Sequence, residues 1–85
     1  MKLRKIITDL FMESLEARNQ NLKKELTDET VLLESGLDSL GFAILVAQLE
    51  DKLNYDPFTL MEEPVYPRTF GDFVAVYEKY KDHAR

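Results

Sequence analysis

The apolar residues of this chain recur at intervals of three and four, and no stretch alternates at period two for long enough to form a strand. The expectation is therefore an all-α fold. Leu3, Ile6, Ile7, Leu10, Phe11 and Leu15 make one face of a first helix running to about Arg18. Asn19, Gln20 and Asn21 then break the pattern, and a long connection leads to Gly36. Within it Leu22, Leu26, Val31, Leu32 and Leu33 are spaced to pin a loop onto a core, and residues 27–30 suit a short helical turn. Gly36 supplies the positive φ of a sharp entry, and either Asp38 or Ser39 can cap a helix by accepting from its first free N–H groups.

The second helix, residues 40–53, is apolar nearly all round for three turns. Phe42, Leu45, Val46, Leu49 and Leu53 read as core, which leaves Leu40, Ala43, Ile44 and Ala47 to face solvent or a visitor. Asn54-Tyr55-Asp56-Pro57 closes this helix, because the residue before a proline is disfavoured in the α region. A short third helix fits residues 59–63, between Pro57 and Pro64. Thr69 and Asp72 have the spacing of a capping box in acidic form, and Phe70, Phe73, Val74, Tyr77 and Tyr80 line a fourth helix. The expected architecture is a small four-helix bundle with a long loop between helices 1 and 2, forming a single domain across residues 1–85. At this length and without cysteine, packing alone must hold it.

Charge is unevenly placed. Residues 25–63 hold ten carboxylates (Glu25, Asp28, Glu29, Glu34, Asp38, Glu50, Asp51, Asp56, Glu62 and Glu63) against Lys52 alone, whereas both flanks are slightly basic. An acidic centre repels a phosphate backbone, so nucleic acid is excluded as a partner and a basic protein surface is favoured. Asp9, Glu13 and Glu16 interrupt any leader-like apolar run near the start, and no stretch has the length of a membrane span. The chain reads as cytoplasmic and monomeric.

Catalytic chemistry has little to work with. The one histidine, His83, lies in a polar tail; there is no cysteine nucleophile, glycine-rich phosphate loop or His-x-x-x-His metal spacing. The acid pairs Asp28-Glu29, Glu50-Asp51 and Glu62-Glu63 point in different directions on a helix and read as solvated, suited at most to weak divalent-ion binding. One arrangement stands apart: Gly36-Leu37-Asp38-Ser39-Leu40 puts a serine hydroxyl on the first turn of a helix beside a carboxylate. It is either a plain N-cap or a place where a phosphate is electrostatically welcome.

Leu33-Glu34-Ser35-Gly36-Leu37-Asp38-Ser39-Leu40 resembles the Asp-Ser-Leu attachment motif of acyl carrier proteins and related carrier domains. The likeness extends to the amphipathic first helix, the long loop, Leu49-Glu50-Asp51 late in helix two and Thr69-Phe70-Gly71-Asp72-Phe73 opening the last helix. The resemblance implies that a phosphopantetheinyl transferase attaches 4′-phosphopantetheine to Ser39, and that the thiol of this arm then holds an acyl group as a thioester. It also implies that Asp38 assists the transferase and that Leu37 and Leu40 offer apolar contact to partners. The working sulfur would then arrive on the prosthetic group, and the protein would catalyse nothing. An acyl-loading ligase or acyltransferase and downstream synthase enzymes would be its other partners.

Two departures qualify this. Carriers of housekeeping fatty-acid synthesis usually place acids two and five positions after the serine, where this chain has Gly41 and Ile44. The stretch 54–68, with three prolines, departs from the usual acidic third helix. Gly41 and Ile44 are therefore expected to help select partners, and the chain to be a specialised carrier for fatty-acid, polyketide or surface-polymer biosynthesis. Two alternatives stand beside it: a peptidyl or aminoacyl carrier, which the Leu-Asp-Ser-Leu form disfavours, and an unmodified acidic helical adaptor with Ser39 as a mere cap.

Overall fold

A computed structural model describes residues 3–17, 25–62 and 66–83. Among the described residues four α-helices follow one another: α1 (Leu3–Ala17), α2 (Ser39–Leu53), α3 (Pro57–Leu60) and α4 (Phe70–Lys79). A 3-10 turn, Leu32–Glu34, interrupts the long α1–α2 connection, and another, Lys81–His83, follows α4. Among the described residues the β pairing is a single isolated bridge, Val31 to Thr69. The expected all-α bundle with a short third helix is what forms.

Each long helix contributes the face its periodicity marked. Ile7, Phe11 and Leu15 of α1 meet Leu45, Leu49 and Leu53 of α2 and Phe70, Phe73, Val74 and Tyr77 of α4, all buried. Phe42 and Val46 pack against this core while staying partly exposed. Phe73 joins three elements: its ring lies 5.4 Å from Phe42 of α2, 6.5 Å from Phe58 of α3 and 5.2 Å from Tyr77.

The third helix begins earlier than its proline spacing suggested. Pro57 sits at its first position, where the missing N–H costs nothing and the fixed φ is already helical. Asp56 caps it, accepting from Phe58 N at 2.9 Å. Pro57 starts α3, but α2 has already ended at Leu53, where Asn54 takes φ 68° as a left-handed C-cap; Leu60 is the last residue of α3, and Glu63 lies outside the described residues.

Residues 27–30 form a turn instead of a helical one, held by Thr30 N to Thr27 O at 3.1 Å and by Thr27 N to Thr30 Oγ1 at 3.0 Å. Threonine hydroxyls here compete with the backbone bonds a helix would need. Leu32 is buried as expected, but the adjacent Leu33 is 69% exposed, because successive residues of a 3-10 turn point in different directions. Arg18 and Leu22 lie outside the described residues.

This loop performs a task that spacing did not disclose: it caps α4. The capping box of Thr69 and Asp72 forms as expected. Beyond it, Phe70 N donates to Thr30 O at 2.8 Å and Gly71 N to Asp28 O at 2.9 Å, so the loop satisfies amides a helix start leaves unpaired. Arg4 of α1 pairs with Asp28 and lies 5.9 Å from the Phe70 ring centroid, tying α1 to the same junction. A Cβ on Gly71 would lie 2.8 Å from Asp28 Cβ and 2.9 Å from its carbonyl oxygen. Gly71→Ala must push the loop off α4, and a loss of about 1–3 kcal/mol is expected. A lower urea midpoint at unchanged slope would register it; an unmoved midpoint would show that the loop yields freely.

Two tyrosines make stability depend on alkaline pH. Tyr55 donates from its hydroxyl to Tyr77 O at 2.7 Å, whereas the buried Tyr77 hydroxyl has no partner among the described residues. Burial, reinforced by Glu78, pushes Tyr55 up to about 12; burial, reinforced by Asp56, pushes Tyr77 higher still. Above about pH 10 an unfolded chain loses these protons while the folded chain retains them, so stability is full below that pH and falls as pH rises through the folded values. Thermal melting followed from neutral to strongly alkaline pH should show this decline. Tyr77→Phe should flatten it and raise neutral-pH stability by about 1 kcal/mol, since it removes a buried hydroxyl that lacks a partner.

Candidate functional site

The start of α2 resolves the choice of cap. Asp38 is the N-cap, with extended φ and ψ of −86° and −179°, and its Oδ1 accepts from Gly41 N at 2.8 Å. Its carbonyl accepts the first bond of the helix, from Phe42 N at 2.8 Å. Ser39 is thus the first helical residue and has no capping task. It is exposed, and no hydrogen bond among the described residues holds its hydroxyl. A free hydroxyl on the first turn stands next to unpaired amides and the positive end of the helix dipole, which suits an attached phosphodiester.

The approach to Ser39 is rigidly built. Gly36 takes φ 104°, the left-handed region that favours glycine. Ser35 is buried and donates from its hydroxyl to Leu32 O. Leu37 is 1% exposed and belongs to the core. That corrects its expected role: it offers no surface to partners, because the Gly36 turn directs its side chain inward, where it anchors the chain two residues before Ser39. Gly41 is also buried, on the side of α2 that faces α1. Leu40, at 63% exposed, and Ile44, at 45%, stand outward as expected. Ala43 and Ala47 are exposed beside them, so an apolar strip follows Ser39 for two turns. Exposed Glu34 and Asp38 lie before this strip and exposed Asp51 beyond it.

An exposed hydroxyl at a capped helix start, set beside an apolar strip framed by acids, has the geometry of a protein that bears a covalently attached group. A family model described as phosphopantetheine attachment site matches residues 3–59, most of the chain, and the chain belongs to that family. Its members carry 4′-phosphopantetheine covalently on a serine, so this is a phosphopantetheine-dependent carrier protein. Neither the curated proteins nor the solved structures gave a match. The matched span holds α1, the loop, α2 and nearly all of α3, while the Thr69–Asp72 capping box lies beyond it. No helix among the described residues is long and apolar enough to cross a membrane.

Proposed function

We propose that Ser39 is the attachment residue and that the protein is a non-catalytic carrier of acyl intermediates. The observation that supports this reading most directly is the division of labour at the helix start: Asp38 caps, and the adjacent Ser39 hydroxyl stays exposed without a hydrogen-bond partner among the described residues. When bound, the phosphopantetheine group supplies a thiol that carries an acyl chain as a thioester. The chain's own residues present the hydroxyl and hold its backbone still. Capping by Asp38 and burial of Leu37 fix both sides of Ser39, which limits the ordering a transferase must impose. Incubation of the full chain with coenzyme A and a broad-specificity phosphopantetheinyl transferase tests the reading. One added group on the peptide containing Ser39 is expected; unchanged intact mass overturns it and leaves the acidic adaptor.

The exposed strip Leu40, Ala43, Ile44 and Ala47 is the proposed docking face for the transferase, a loading ligase or acyltransferase, and synthase enzymes. Acids around it steer basic partners, while Ile44 makes the contact apolar where housekeeping carriers place a carboxylate. Gly41, buried against α1, contributes by the charge it lacks. The protein is accordingly proposed to be a specialised carrier. General fatty-acid synthase enzymes should elongate its acylated form poorly, and efficient elongation would remove the reason for separating it from housekeeping carriers.

A further inference from the structure

Between α1 and α2 lies a groove of about 470 Å³ whose lining includes Leu10, Glu13 and Ser14 on one side and Gly41, Ile44 and Gln48 on the other. Gly41, Ile44 and Gln48 are spaced by three and four and share one face of α2. Ser14 is nine-tenths buried, and its hydroxyl has no hydrogen-bond partner among the described residues; it does not even bond back to a carbonyl of its own helix. A buried hydroxyl left unpaired forfeits its hydration without replacement, so this groove presents an unmet polar demand in an otherwise mostly apolar cleft.

We infer that the groove is the resting place of the Ser39-linked phosphopantetheine arm, an inference that rests on the attachment reading above. Three observations select this occupant. The groove begins at Gly41, two residues beyond Ser39, and from there to Gln48 runs about 10 Å along the helix. A tethered arm of two amides and short alkyl segments is longer than that when extended, so it reaches round the first turn and lies along the cleft. The lining alternates apolar and polar groups, with Ser14 and the Gln48 amide placed among Leu10 and Ile44. That matches a chain of amides better than a plain alkyl tail, which would leave Ser14 unpaired. Finally, Gly41 and Ile44 both line the groove beside the attachment point: a glycine leaves room and an isoleucine supplies an apolar wall. Ser14 is thus a positioning residue for the arm, meeting one of its amides.

Backbone amide chemical shifts of the apo and transferase-modified full chain test this, with intact mass establishing modification first. Attachment should shift amides of α1 around Ser14, and that of Gln48, in addition to those beside Ser39. In modified Ser14→Ala the α1 shifts should be lost while the mass gain persists; the apo spectrum of this variant reports that it folds. Shifts confined to the neighbourhood of Ser39, or α1 shifts that persist unchanged in Ser14→Ala, would overturn the groove assignment and leave the attachment reading intact. Failure of the wild type to gain mass would instead remove the attachment reading and the inference with it.

Discussion

Ser39→Ala is expected to abolish phosphopantetheinylation completely while leaving thermal stability within about 0.5 kcal/mol of the wild type. The two halves of this result have separate causes. Modification is lost because no other atom at the start of α2 can take the serine's place: Asp38 is engaged with Gly41 N, and Ser35 is buried with its hydroxyl on Leu32 O. Stability is kept because Ser39 is exposed and caps nothing. Asp38→Ala should behave in the opposite way, costing about 0.5–2 kcal/mol through loss of the cap while retaining the hydroxyl. Intact mass and a denaturation curve on each variant separate the roles. A mass gain on Ser39→Ala would place the attachment elsewhere; a large loss of stability in that variant would mean the serine has a structural duty.

Phe73→Ala should bring the chain close to the threshold of folding. The ring is fully buried and bridges α4 to Phe42 of α2 and Phe58 of α3. Truncating such a residue removes its transfer energy and leaves a cavity, together about 3–5 kcal/mol. Small domains hold only about 5–15 kcal/mol in total, and a chain of this size sits toward the lower end. The urea midpoint should fall by a large fraction of its value, and the loss should far exceed that of Phe73→Leu, which keeps most of the volume. A midpoint shift as small as that of an exposed alanine substitution would show that α3 and α4 are held by something other than this aromatic cluster.

The unusual economy of the bundle lies in its loop. A helix as short as α4 depends on its caps, and residues 28 and 30, some forty positions earlier in the chain, supply two of them. The same anchoring carries the chain through the Leu32–Glu34 turn to the buried Leu37 and delivers Ser39 in a fixed place. Damage at Gly71 should therefore loosen the approach to Ser39 as well as lower stability.

Residue order alone carries the local features of this protein. Intervals of three and four mark the faces of α1, α2 and α4; Thr69 and Asp72 mark a helix start; and Gly36 through Leu40 mark a turn into a helix that bears a serine. These signals are legible because their causes act within a turn of helix, between residues a few positions apart. Features that depend on residues far apart in the chain were set by packing between the elements. That packing assigned the cap to Asp38 and freed Ser39, turned Leu37 inward and Leu33 outward, made a loop the cap of α4, and left the Ser14 hydroxyl unpaired in a groove against α2. A side chain's exposure is set by whatever packs over it, and no periodicity within one segment specifies which distant segment that is.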